Sequence, residues 1–114
     1  MLNSRYNHCL VFDERHLKIY AFGGLNDTFT PGSKISNLDT TQDHDEGDED
    51  GLLRSGEYYD IRDDIWVAIA KMPHHREQAC ATMFKSDSIY VFGGIDRFLP
   101  AQNLLNIIDK YSIS

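Results

Sequence analysis

Residues 19–24 spell Ile-Tyr-Ala-Phe-Gly-Gly, and residues 89–94 repeat the pattern as Ile-Tyr-Val-Phe-Gly-Gly. Each copy is a short run of β-branched and aromatic residues that stops at two glycines. Such a run is typical of a buried β-strand, and the glycines mark a backbone position with no room for a side chain. Because self-similarity is the signature of a repeated structural unit, the two copies predict a chain built from two equivalent units.

The similarity extends to both sides of the glycines. Upstream, Arg5 and Arg76 occupy matching positions, and a cysteine follows each arginine four residues later. Downstream, both units reach a tyrosine, which is Tyr59 in the first unit and Tyr111 in the second. Only the first unit continues to a tryptophan, Trp66, seven residues after its tyrosine. The repeat therefore includes charged and aromatic positions as well as the strand itself.

The spacing of these positions gives the size of one unit. Gly24 precedes Tyr59 by 35 residues, whereas Gly94 precedes Tyr111 by only 17. The first unit therefore contains about 18 additional residues, and without them the period is about 52. This period is close to the ~50 residues of one four-stranded blade in a kelch-type propeller.

The pattern resembles the kelch-repeat family of β-propellers over nearly the whole chain except an acidic insertion. The residues that carry the resemblance are Arg5, Gly23, Gly24, Tyr59, Asp60, Trp66, Arg76, Gly93, Gly94 and Tyr111. It implies an all-β fold, namely a partial kelch-type propeller of about two four-stranded antiparallel blades. Residues 1–75 would form the first blade, and residues 76–114 a second blade that lacks its last strand. The second unit departs from the family pattern because Ser112 stands where an aspartate is expected.

The repeat also predicts the strands and the roles of its residues. We expect strands over residues 6–12, 17–22, 56–61, 65–69, 78–84, 88–92 and 104–111. The two arginines are expected to donate hydrogen bonds to carbonyl groups, since a guanidinium offers five donors. Tyr59 and Trp66 are expected to pack between blades, where large amphipathic rings fill space. Cys9 and Cys80 are expected to be small buried residues without a mutual disulfide, because equivalent positions on neighbouring blades are too far apart.

The charge of the chain is concentrated in one insertion at about residues 37–54. The net charge is −7, and residues 39–50 contain seven acidic side chains and no lysine or arginine. The remaining sequence is neutral, with 11 acidic and 11 basic residues. We expect disorder from Asp39 to Gly51, because few apolar residues are available to offset the entropy of ordering. No basic patch with aromatic residues is present, so nucleic acid is not an expected partner.

The sequence lacks a full match to three kinds of chemical site. Glu46, Asp48, Asp50, Gly51 and Glu57 match five positions of a calcium-binding loop, but the first position is not aspartate and no helix is predicted beside it. The histidines near residue 75 lack the paired spacing of a metal site. No nucleophile elbow or phosphate-binding loop is present. The sequence therefore predicts a non-enzyme without a cofactor, and the absence of a long apolar run predicts a cytoplasmic protein that does not bind membranes.

The function that the sequence favours is a protein–protein interaction scaffold, because proteins similar to this one often act as adaptors or bind the cytoskeleton. Two loops are expected to contact partner proteins, through Asn26, Asp27, Asp96, Arg97 and Phe98. Closing a propeller takes ~4–8 blades, so we expect further blades of a longer protein, or copies of this chain, to complete the ring. Two alternatives remain: a piece of a propeller enzyme whose active site lies in absent blades, and a scaffold with a calcium-responsive acidic loop.

Overall fold

The computed structural model describes residues 1–26, 53–96 and 103–113, and these residues form an all-β fold. The described residues contain no helix, and accordingly no helix among them is long and apolar enough to cross a membrane. The strands, numbered along the chain, are β1 Cys9–Asp13, β2 Lys18–Phe22, β3 Gly56–Asp60, β4 Ile65–Ile69, β5 Cys80–Phe84, β6 Ser88–Phe92, β7 Ile95–Asp96, β8 Asn103–Leu104 and β9 Ile108–Ser112.

The strands form two antiparallel sheets that repeat the same order. The first sheet has the order β1-β2-β3-β4, and the second has the order β5-β6-β9. Strand β9 takes the place of β3, because it pairs with β6 as β3 pairs with β2. A short ribbon of β7 and β8 completes the described strands. The all-β prediction is therefore confirmed, with sheets of four and three strands in the described residues.

The predicted strands are largely confirmed, and the differences concern their ends. Strands β4 and β6 have the predicted bounds, whereas the strand expected over residues 104–111 begins only at Ile108. Leu104 instead pairs with Ile95, outside any predicted strand. This pairing joins two segments on either side of residues 97–102, and the local sequence pattern did not indicate it.

The hydrophobic core lies between the two sheets. Tyr20 and Phe22 project from β2 toward the second sheet, which contributes Ile89 and Val91 from β6. Tyr111 joins this core, and its ring centroid lies 5.8 Å from that of Tyr20 and 6.1 Å from that of Phe22. Because alternate residues of a strand point to opposite faces, the intervening residues face away from the core.

One expectation about packing is corrected, that for Cys80, whereas the packing of Tyr59 and Trp66 between blades stays a prediction. Tyr59 and Trp66 contact each other with centroids 5.1 Å apart, but they lie on the side of the first sheet that faces away from the second. They therefore do not pack between the two described sheets. Cys9 is buried in the core as expected, whereas Cys80 is exposed because no described residue covers its side of β5. Both cysteines are free, so the prediction that they form no disulfide is confirmed.

Candidate functional site: a repeated arginine network and two exposed faces

The guanidinium of Arg5 joins three parts of the first unit. Its Nη1 atom donates to the carbonyl oxygen of Gly23 at 2.9 Å and to that of Ser55 at 3.0 Å. Its Nη2 atom lies 2.7 Å from the Glu57 carboxylate, and both side chains are fully buried. A buried charge is tolerated only when it is paired and hydrogen-bonded, and this arginine satisfies both conditions.

Arg76 repeats these contacts in the second unit. Its Nη1 atom donates to the carbonyl oxygen of Gly93, and its Nη2 atom donates to that of Ile107 at 3.1 Å. Nη2 also lies 2.9 Å from the carboxylate of Asp109, which occupies the position of Glu57. The predicted hydrogen bonds from both arginines to carbonyl groups are confirmed.

The acidic partners of the two arginines were not predicted from the sequence. Glu57 and Asp109 each stand two residues before the repeated tyrosine, so a matching acidic position was visible in both units. The match between the two units did not by itself indicate that these carboxylates pair with Arg5 and Arg76, because the pairing depends on strand register. We infer the acidic position to be part of the repeat, since both carboxylates bind their arginine at the same place in the sheet.

The first glycine doublet lies against the start of the second unit. Gly23 and Gly24 have φ values of 65° and 91°, and the second doublet has 65° and 90°. A Cβ atom at Gly23 would approach the backbone oxygen of Arg76 to 2.5 Å, and the amide of Gly24 donates to that oxygen at 2.6 Å. The prediction that this position tolerates no side chain is therefore confirmed for the first doublet.

The second doublet differs from the first at Gly93 only, since a Cβ atom at Gly94 would approach the backbone oxygen of Glu77 to 2.7 Å. A Cβ atom at Gly93 would meet nothing nearer than the Leu105 oxygen at 3.9 Å. The backbone conformation is thus repeated, but no described residue crowds Gly93 as Arg76 crowds Gly23. The difference between Gly23 and Gly93 therefore shows that the second unit covers the first sheet at this point, whereas no described residue covers the second sheet there.

The Tyr-Asp pair shapes the turn between β3 and β4. The Asp60 side chain accepts hydrogen bonds from the amides of Arg62 and Asp63 at 3.0 and 3.1 Å, which is the geometry of an Asx turn. The hydroxyl of Tyr59 donates to Asp64, and this hydrogen bond raises the pKa of Tyr59. Ser112 occupies the position equivalent to Asp60 at the end of β9.

The loop residues expected to bind partners are placed only in part. Asn26 is half-buried, and Asp96 is buried in β7, which corrects the expectation that Asp96 lies on an exposed loop. Asp27, Arg97 and Phe98 lie outside the described residues. Of the insertion expected at about residues 37–54, residues 37–52 lie outside the described residues. Leu53 is fully buried, and its amide donates to the backbone oxygen of Gly24 at 3.0 Å.

The structure argues against calcium coordination by Glu57. Its two carboxylate oxygens accept hydrogen bonds from the amide of Leu2 at 2.7 Å, from the amide of Asn3 at 3.2 Å and from Arg5. Both oxygens are therefore engaged inside the protein. The other positions of the calcium-like spacing lie outside the described residues.

A small cleft opens between the sheets beside β9. Its volume is about 100 Å³, and Phe22, Met72, Val91 and Tyr111 are among its lining residues. Sites for small organic ligands usually measure about 300–1,000 Å³. This cleft is therefore too small to bind a typical organic substrate.

Several exposed apolar side chains, among them Leu10, Phe12, Phe92 and Ile108, lie on the two sides of the sheets that face away from the core. We call the side of the first sheet face A, and its residues are Leu10, Phe12, Ile19, Tyr59 and Trp66. We call the side of the second sheet face B, and its residues are Cys80, Tyr90, Phe92, Ile108 and Lys110. Contiguous exposed apolar surface of this kind is characteristic of interaction sites.

No protein-family model matches the chain, and no curated protein matches it.

Proposed function

We propose that this chain is a protein–protein interaction scaffold of the kelch-repeat type, in which the two sheets are neighbouring propeller blades. The observation that carries the proposal is the repeated arginine network. In both sheets a buried arginine binds the first glycine of the doublet, a carbonyl group just before β3 or β9, and an acidic side chain. Such repetition of a buried polar network supports blades built on one plan.

The role of the recurring residues also favours a scaffold over an enzyme. The guanidinium groups of Arg5 and Arg76 donate hydrogen bonds to backbone carbonyls and to carboxylates inside the sheets. These contacts hold the strands in place, and they leave the recurring residues engaged with the protein itself. Scaffolds of this kind use the surfaces between and around such residues to bind other proteins.

The end of the sheets that carries the doublets is the proposed location of partner binding. Arg76 contacts both doublets, since its side chain donates to Gly93 and its backbone oxygen accepts from Gly24. The ends of β2 and β6 therefore lie side by side. The segments that follow the doublets begin at this common end, so one partner protein could contact both of them.

The proposal extends to a cytoplasmic adaptor or cytoskeleton-associated role, and the kelch resemblance is its support. Kelch-type proteins bind protein partners through surfaces at the ends of their blades, and no cofactor is needed for this activity. Residues beyond the two sheets, from a longer protein or from another chain, would complete the ring.

Site-specific photo-crosslinking tests the proposal. Tyr6 is exposed at the doublet end, where its backbone pairs with Leu25, and Ile61 is exposed in the turn at the opposite end. Each is replaced in turn by benzoylphenylalanine in cells, and the covalent adducts are identified by mass spectrometry. We expect discrete adducts with another protein from position 6 and not from position 61. Identical adducts from both positions, or none from position 6, would contradict the proposal.

A further inference from the structure

The repeat allows each exposed residue of face B to be compared with its equivalent in the first unit. Phe92 corresponds to Phe22, which is 2% exposed in the core, yet Phe92 is 38% exposed. Cys80 corresponds to the buried Cys9 and is itself exposed. In the first unit these positions are covered by the second sheet. Face B therefore has the composition of a covered surface, but no described residue covers it.

Face A shows the complementary discrepancy. Its residues correspond to the side of the second sheet that covers the core: Phe12 corresponds to Met83, and Ile19 corresponds to the fully buried Ile89. Phe12 is 52% exposed, and its neighbour Leu10 is 56% exposed. Face A of the first sheet is thus equivalent to the side of the second sheet that packs against the first. The residues against which that side packs are the equivalents of face B.

We infer that face B of one copy of this chain binds face A of a second copy, so that copies associate head to tail. The contact would reproduce the packing already present between the two sheets. Tyr59 of the second copy would take the place of Tyr111, whose ring lies against Tyr20 and Phe22. Its new neighbours would be Tyr90 and Phe92, the equivalents of those two rings.

Two further features of the structure fit this arrangement. Lys110 lies on face B with its Nζ atom 6.0 Å from the Tyr90 ring, and Asp64 lies beside Tyr59 at face A. Placing Tyr59 over Tyr90 therefore brings opposite charges to the same part of the contact. The open space at Gly93 is where a following unit would place its backbone, as Arg76 does at Gly23.

The symmetry of the contact determines what assembles. Face A and face B are different surfaces, so their contact is heterologous, and each bound copy leaves one face of each kind free. Association then continues until the chain of copies closes into a ring or forms a filament. The inference rests on the blade-like repeat of the proposed function, but it does not depend on which partner protein binds at the doublet end.

The test uses charge substitutions on each face and measures mass by sedimentation equilibrium over a range of concentrations. Phe12→Asp disables face A, and Phe92→Asp disables face B. Ile61→Asp is the matched control, because Ile61 is an exposed apolar residue outside both faces. Circular dichroism of each variant verifies that it remains folded.

We expect the wild type and I61D to associate as concentration rises, and each face variant alone to be monomeric. An equimolar mixture of F12D and F92D should form a one-to-one dimer, since each variant retains the face that the other has lost. Maleimide labelling of Cys80 should slow at least about tenfold when wild-type copies associate, which corresponds to about 1.4 kcal/mol.

Three results would overturn the inference. A wild type that stays monomeric at all concentrations would mean that a different polypeptide covers the faces. Association of F12D or F92D alone would mean that one face binds its own copy. A mixture that stays monomeric would mean that the two faces are not complementary. Crosslinking to a partner protein at position 6 is a separate readout, so the proposed function can stand where this inference fails.

Discussion

The buried pair of Arg5 and Glu57 gives the sharpest test of what stabilises this fold. Their side chains are 0% and 1% exposed. The two carboxylate oxygens of Glu57 accept three hydrogen bonds in all, from the amides of Leu2 and Asn3 and from the guanidinium of Arg5. The substitution Glu57→Gln keeps the shape of the side chain but removes its charge. The guanidinium of Arg5 then remains buried without a counter-charge.

Removing one partner of a buried ion pair costs about 3–5 kcal/mol of the free energy of unfolding. A small domain has a total stability of about 5–15 kcal/mol, so this substitution should remove a large part of it. With a urea m value of about 1–3 kcal/mol/M, the midpoint of unfolding should fall by about 2 M. Fluorescence of Trp66 and far-ultraviolet circular dichroism would follow the transition.

The second unit provides the matched control. Asp109→Asn removes the equivalent charge, but the Asp109 side chain is 14% exposed, so water can partly solvate the remaining arginine. We expect a loss of about 1.5–3 kcal/mol, the value of a hydrogen bond to a charged group. The reasoning is refuted if E57Q costs less than about 1 kcal/mol, or if the Asp109 substitution costs more than E57Q. A double variant R5M/E57L should lose less stability than the sum of R5M and E57L, since it leaves no unpaired buried charge.

Three further predictions use other pairs and groups of the structure. Gly23→Ala and Gly93→Ala both force alanine into a positive φ, which costs about 1–2 kcal/mol, but only Gly23→Ala also collides with the Arg76 backbone. Urea titrations should therefore find Gly23→Ala the more destabilising of the two, and equal losses would contradict the stated crowding. Burial raises the pKa of Cys9 to about 11, so in dilute protein near neutral pH a maleimide should modify Cys80 well before Cys9. Mass spectrometry of the C9S and C80S variants separates the two rates, and comparable rates would show that Cys9 is not protected. Burial, and secondarily the charge of Arg5, lowers the pKa of His8, so the unfolded chain binds more protons than the folded chain just below the unfolded value of about 6.5. Stability should therefore fall as pH drops through about 6.5, His8→Gln should weaken this dependence, and an unchanged dependence in the variant would exclude His8 as its source.

Much of the local structure could be predicted from the sequence. The alternation of apolar and polar residues and the turn formers between them identified β1 to β6 within a few residues. The repeat of Arg5 and Arg76 around the doublets indicated hydrogen bonds from guanidinium to backbone, and these are present. These features are readable because they depend on residues close in sequence or on positions that occur twice.

Other features required the three-dimensional structure. The pairing of Ile95 with Leu104 joins residues on either side of an intervening segment, and nothing local specifies it. The side of the sheet on which Tyr59 and Trp66 lie depends on strand register, since a shift of one residue would move both to the opposite face. The exposure of Cys80 depends on whether another sheet covers β5, which the sequence of β5 does not record.

The sequence by itself determined an all-β chain of two related units, because side-chain alternation and paired glycines are local constraints on the backbone. The tertiary structure alone decided which carboxylates neutralise the buried arginines and which sides of the sheets are covered. These outcomes depend on long-range packing and strand register. Phe22 and Phe92 illustrate the difference: they occupy the same place in the repeat, yet one is buried and the other exposed, because only the first has a sheet packed against it.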